Sequence, residues 1–203
     1  MIKNPYKGML IAIEGLDGSG SSTQAGFLLD NLKKIKNKAF ATKEPTNNII
    51  GGIIRGQLSE DWKTDTTCLQ LLFAADRAHH LEKTIVPVLK KGQTIISDRF
   101  FFSSIAFGSI DLDKNWLISL NKNFIYPDLT FIIKVPPVVC IKRIKTNRFN
   151  FELYEQEKKL EKAWKTYLWL SKKYKNVYII NGLKDKKKIS EEIFKIVKRK
   201  IKK

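Results

Sequence analysis

Residues 13–24, IEGLDGSGSSTQ, hold the first group that could do chemistry. Gly15, Gly18 and Gly20 alternate with short polar residues, Asp17, Ser19, Ser21, Ser22 and Thr23. Glycine lets successive backbone N–H groups turn inward around phosphate oxygens. From Gly15 to Ser22 the spacing follows the phosphate-loop pattern G-x-x-x-x-G-K-[S/T] with one departure: Ser21 stands where the lysine belongs. A helix opening behind the loop would add partial positive charge, and Ser22 stands where a hydroxyl would ligate Mg²⁺. A glycine turn capped by serines is the structural alternative.

Three further groups stand out. In IISDRFFFSSIAF, residues 95–107, an apolar run ends in Asp98-Arg99. The carboxylate could hold Mg²⁺ through water, and the guanidinium could clamp a phosphate with two parallel bonds. An ordinary strand-end ion pair is the alternative. In LLFAADRAHH, Phe73 and Arg77 lie four apart and share a helix face, so the ring could stack on a base while the arginine reaches its edge. A core phenylalanine beside a surface arginine is the commoner arrangement. Lys142, Arg143, Lys145 and Arg148 cluster between two helical patterns, as a basic lid over transferring phosphates would. His79 and His80 lack a partner pattern and take no metal role.

These groups need a scaffold that brings them together. Short apolar runs, Met9–Ile13, Ala39–Lys43, Thr94–Ser97, Leu129–Val135 and Val177–Ile180, read as strands. Between and after them, Ser22–Ile35, Ile49–Leu58, Thr66–Lys90, Ser103–Phe107, Asp113–Asn121, Pro136–Ile144, Phe151–Lys173 and Ile189–Ile201 read as helices. Pro87 would bend the third of these, and Asp113 would cap the fifth. Strands that are almost wholly apolar and separated by helices imply an α/β fold, a five-stranded parallel sheet covered on both faces. Ligands of such sheets sit beyond the strand carboxyl ends. Here those ends carry Glu14 with the glycine loop, Lys43-Glu44 and Asp98-Arg99.

Bulk composition agrees. The 203 residues and 43% hydrophobic content suit one domain, 1–203, with a sizeable core. Cys68 and Cys140 show no C-x-x-C spacing and lie in apolar surroundings, so free core thiols and a cytoplasmic location are expected. No apolar run reaches the length needed to span a membrane. The net charge of +18 would suit nucleic acid, but the excess lies largely in lysine-rich terminal stretches. A solvated surface that attracts anionic small molecules is expected instead, with no specific nucleic acid.

Taken in order, IAIEGLDGSG-STQ, KEP, LLFAADR, SDRFFFSSIAF and PDLTFIIKV resemble the thymidylate kinases over essentially the full length. The resemblance implies the P-loop NTPase fold and transfer of the γ-phosphate of ATP to dTMP, with Mg²⁺ as cofactor. Gly15, Asp17, Gly18, Ser19, Gly20, Ser21, Ser22 and Thr23 would then bind ATP, and Ser22 with Asp98 the metal. Phe73 matches the aromatic that stacks on thymine, Arg77 the arginine at the base edge, and Ser104 a polar neighbour of the base. Phe107 matches the ring that crowds the 2′ position. Arg55 and Arg99 match the arginines on the dTMP phosphate, Glu44-Pro45 the loop shaping that pocket, and Asp17 an acid near the acceptor sugar. Residues 142–151 match the lid, where Arg143 and Arg148 join Asp17 and Arg99 as catalytic candidates. The resemblance also implies a homodimer packed through helices, with the apolar faces of 66–90 and 100–120 available.

Lys43, Gly108 and Lys134 depart from the family pattern, Gly108 standing where a glutamine that can touch the base is frequent. Ser21 is the departure that bears on catalysis. Losing one donor to a transition state typically costs ~10²–10³ in rate, while the backbone amides still cradle phosphate. Either a lid arginine takes the lysine's place in a working enzyme, or the chain is a nucleotide-binding relic. The working enzyme is expected, because the acceptor-pocket positions keep usable chemistry.

Overall fold

The computed structural model describes residues 1–147 and 157–201. Five parallel strands form its main sheet: Leu10–Gly15 (β2), Ala39–Lys43 (β3), Thr94–Asp98 (β4), Leu129–Lys134 (β6) and Val177–Asn181 (β7), in the order β3-β4-β2-β6-β7. The α/β expectation therefore holds. β2 lies at the centre and is buried at every residue, because helices cover both faces and leave no polar side. Two shorter segments, Ile2–Lys3 (β1) and Ile125–Tyr126 (β5), pair in parallel beside it. Two residues carry no periodicity, so this pair is illegible in the sequence.

The helices between the strands are Ser21–Lys34 (α1), Ile49–Leu58 (α2), Thr66–His80 (α3), Val86–Lys90 (α4), Phe101–Gly108 (α5), Lys114–Leu120 (α6) and Pro137–Asn147 (α7). Glu157–Lys173 (α8) precedes β7, and Lys186–Ile201 (α9) follows it. Side chains of Asn48, Asp65 and Asp113 accept from backbone N–H groups three residues on, fixing where α2, α3 and α6 begin. The cap expected at Asp113 is thus in place. The run 66–90 is not one helix: a π-helical turn, Leu81–Ile85, separates α3 from α4. Pro87 cannot supply an N–H to the carbonyl one turn back, and the hydrogen-bond register shifts just ahead of it. The first residues of the expected helix 151–173 lie outside the described ones.

The sheet gathers the chemistry. β3, β4 and β2 are neighbours, and the backbone N–H of Glu44 donates to the carbonyl of Asp98 at 3.1 Å. The N–H of Arg99 in turn donates to Ile13 at 2.8 Å. All three strands point the same way, so their carboxyl ends open onto one cavity, as expected. Among the described residues, no helix is long and apolar enough to cross a membrane.

Candidate active site

The glycine loop joins β2 to α1. Gly20 caps α1 in a left-handed conformation, φ +94°, and makes no side-chain cap to the first N–H groups of the helix. Those donors, with the helix dipole behind them, form an anion site. Gly18, at φ +77°, serves a close approach: a Cβ there would stand 2.6 Å from the carbonyl oxygen of Cys140 on α7. Ser21 is the first residue of α1 and is 6% exposed. Its hydroxyl is too short to reach a phosphate as lysine would.

The next residue, Ser22, donates from Oγ to Asp98 Oδ2. The other carboxylate oxygen, Oδ1, is buried and has no partner among the described residues. An all-oxygen pair with an unused carboxylate lone pair suits a hard cation that keeps most of its water. The expected metal residues are therefore brought together with chemistry that fits Mg²⁺.

Arg99 follows β4 with φ +67°, a conformation rare outside glycine. Its side chain is held firmly. Nη1 donates to the carbonyl of Gly15 at 2.8 Å and to Ser103 Oγ at 3.1 Å, and Nη2 pairs with Asp17. Burial would depress the guanidinium's pKa, but Asp17, Tyr167, Asp98 and Glu14 more than offset it and keep Arg99 charged.

Beneath it lies Glu14, fully buried. It accepts from the N–H of Phe100 at 3.0 Å, from Ser103 Oγ at 2.5 Å and from the Tyr167 hydroxyl at 3.2 Å. Burial pushes its carboxyl up to about 7, with Ser103, Arg99, the Phe100 N–H and Arg77 pulling the other way. Tyr167, on α8, also donates to the Gly15 carbonyl at 3.2 Å, tying that helix to the loop. Neither its position nor that of Glu14 as a buried acid was legible from motif spacing.

One cavity of about 560 Å³ runs from the loop to the pocket formed by α3 and α5. Phe73 and Arg77 both line it, with Arg55, Pro45, Ser104 and Phe107. Arg77 is only 1% exposed. Its Nε donates to Glu44 Oε2 at 2.9 Å, Nη2 to Ser104 Oγ at 2.8 Å, and Nη1 to Asn121 Oδ1 at 2.5 Å. Phe100 and Phe124 pack on the guanidinium at 5.3 and 5.8 Å from their ring centres. Of its five N–H groups, one on Nη1 remains without a partner among the described residues. Arg55 leans on the carbonyls of Pro45 and Thr46, and the Arg99 guanidinium sits 5.5 Å from the centre of the Phe107 ring.

Of the expected lid arginines, Arg143 lies at the loop. Nη1 reaches the carbonyls of Gly18 and Ser19 at 3.3 and 3.4 Å, and Nη2 that of Gly182 at 3.3 Å. Arg143 lines the same cavity as Ser21. Arg148, with the lid from there to 151, lies outside the described residues. Two cavity neighbours escaped the sequence reading. Asn121 carries no local signal. Gln70 did carry one, a polar residue three positions before Phe73 and seven before Arg77, on the face those two share.

A central strand, a glycine loop, a helix N-terminus and a serine–aspartate pair define a P-loop NTPase fold with its phosphate site. The thymidylate kinase family model matches residues 13–193. A probable thymidylate kinase 1 of Saccharolobus solfataricus is 40% identical over 192 residues, covering 94% of this chain and 97% of the relative. A probable thymidylate kinase of Thermococcus onnurineus is 36% identical, covering 93% and 97%. The thymidylate kinase of Thermosipho melanesiensis is 37% identical with the same coverage. The chain belongs to the thymidylate kinase family.

Proposed function

We infer that this chain transfers the γ-phosphate of ATP to dTMP, giving dTDP and ADP, and that Arg143 serves in place of the loop lysine. The observation that carries this reading is the single cavity that joins the glycine loop to the Phe73–Arg77 pocket. Its two ends suit the two substrates. A phosphate oxygen of dTMP attacks the γ-phosphorus as the bond to the β-bridging oxygen breaks. Arg55 and Arg99 hold the acceptor phosphate, Asp17 keeps Arg99 oriented, and Phe73 stacks on thymine while Arg77 faces its edge. Ser104 holds Arg77 in place, Glu44-Pro45 shape the wall, and Phe107 crowds the sugar. Gly15 to Thr23 wrap the ATP phosphates. Ser22 and Asp98 would hold Mg²⁺, which when bound neutralises charge on the β- and γ-phosphates. Residues 142–151 act as a lid, with Arg148 as a second cation. The protein works as a single-domain homodimer in the cytoplasm; Leu71, 49% exposed on α3, suits a helix-packed interface, and both cysteines are free.

The test is a coupled ADP-release assay with ATP, Mg²⁺ and dTMP, run in parallel with dUMP, dCMP, UMP and AMP. Turnover strongest with dTMP is expected. Tight dTMP binding with no turnover above background would overturn the catalytic reading and leave a nucleotide-binding protein.

A further inference from the structure

We propose that Gln70 reads the thymine ring, its carboxamide bonding the N3–H and a flanking carbonyl oxygen of the base. The proposal rests on the dTMP reading above and adds a residue that the motif comparison does not assign.

Gln70 lies in α3, three residues before Phe73 and seven before Arg77, so the three share one helix face. It lines the same cavity as they do. The residue is 1% exposed, yet neither Oε1 nor Nε2 has a hydrogen-bond partner among the described residues. A buried carboxamide with both functions unmet is costly, roughly 1–3 kcal/mol per unsatisfied group, and native proteins rarely retain one without a use. Every other polar side chain around Arg77 is occupied: Glu44, Ser104 and Asn121 all bond its guanidinium. Among the described residues, Gln70 is the side chain in that neighbourhood whose donor and acceptor both lack a partner.

The far wall makes room for it. A Cβ on Gly108 would stand 2.9 Å from Gln70 Cδ and 3.0 Å from Leu117 Cδ2, tighter than side chains pack. Gly108 on α5 thus leaves the space that the carboxamide fills. Its chemistry fits the ring: N3–H is a donor and the adjacent carbonyl oxygen an acceptor, matching the acceptor and donor of a primary amide. The amide can rotate to present the reverse order, so by itself it would also pair with cytosine. Gln70 therefore fixes a pyrimidine edge, and Arg77, which can only donate, favours a carbonyl over an amino group beside it.

The test compares wild type with Gln70→Leu, Gln70→Met and Gln70→Glu by dTMP and dCMP kinetics and by thermal unfolding of the ligand-free protein. Gln70→Leu and Gln70→Met remove the unmet polar atoms at similar volume. They are expected to raise KM for dTMP about tenfold, leave kcat nearly unchanged, and keep or raise Tm. Gln70→Glu, facing the base with acceptors only, is expected to lower the ratio of dTMP to dCMP turnover. Unchanged KM for dTMP in both apolar variants would overturn the assignment. So would a lowered Tm, or failure to fold, in both, since Gln70 would then be a structural residue. A wild type that neither binds nor phosphorylates dTMP would sink the dTMP reading and this one with it. A wild type that does, matched by Gln70→Leu, would sink only the role of Gln70.

Discussion

At the acceptor end of the cavity, Arg77 is bonded to Glu44 after β3, to Ser104 on α5 and to Asn121 at the end of α6, with lengths of 2.5 to 2.9 Å. At the donor end, Arg143 reaches carbonyls of Gly18, Ser19 and Gly182 at 3.3 to 3.4 Å. The first cation is a structural post whose partners include a buried carboxylate. The second reaches backbone carbonyls of the loop and of Gly182 from α7, at longer distances. The contrast teaches how a phosphate loop can lose its lysine. The base pocket needs a shape that is preset, so its arginine is over-determined. On the proposed reading the phosphate site draws its charge from a neighbouring helix, and Arg143 on α7 lines the same cavity as Ser21.

The largest break in this comparison should come from the acceptor end. Arg77→Met takes the guanidinium from the buried Glu44, which keeps its contact to His80, and removes the donors that Asn121 Oδ1 and Ser104 Oγ meet. A loss of about 3–5 kcal/mol in stability is expected, read from urea unfolding. A loss below about 1 kcal/mol would mean that Arg77 is not a structural post. At the donor end the expected injury is to rate rather than fold. Arg143→Ala should lower kcat ~10²–10³-fold with little change in Tm or in KM for dTMP. A wild-type rate in that variant would remove Arg143 from the lysine's role.

Glu14 stands where the two ends meet, through Ser103 and Arg99. Burial raises its carboxyl from 4.5 to about 7. Between those values the folded chain keeps a proton that the unfolded chain has lost. The stability contributed by this group is therefore full below about pH 4.5 and is lost as pH rises through 7, about 3 kcal/mol in all. Glu14→Gln should lack that slope when unfolding is followed from pH 4.5 to 7.5. Parallel curves for the two proteins would show Glu14 ionised throughout.

The smallest effect sharpens the comparison most. Ser21→Lys restores the loop cation and, on the reading that Arg143 takes the lysine's place, should change kcat by less than about tenfold in wild type. In the Arg143→Ala background the same change should recover more. A coupling energy of roughly 1–2 kcal/mol is expected from the four-variant cycle. Strict additivity would mean that the two positions do not share a task.

Most of the site could be read along the chain, because its parts are local. The loop spacing from Gly15 to Ser22, the four-residue step from Phe73 to Arg77 and the Asp98-Arg99 strand end each depend on near neighbours. Periodicity likewise placed all the strands of the main sheet and most helices to within a few residues. It missed β1 and β5, which are too short to repeat. It also merged α3 and α4, because a π turn leaves no mark on the apolar pattern, although Pro87 warned of a break.

What the sequence by itself determined is which groups stand at the site: a glycine loop, a serine and an aspartate that meet, an aromatic with an arginine, and the absence of lysine at Ser21. The tertiary structure decided which groups are spent and which remain available. Arg77 became a post because Asn121 arrives from a helix 44 residues on. The carboxyl of Glu14 is pushed up because the fold removes it from water, against the pull of Ser103, Arg99 and Phe100. Arg143 meets the loop because Gly18 lets α7 approach. Hydrogen bonding and desolvation depend on atoms brought together from distant parts of the chain, and spacing along a sequence carries no measure of that.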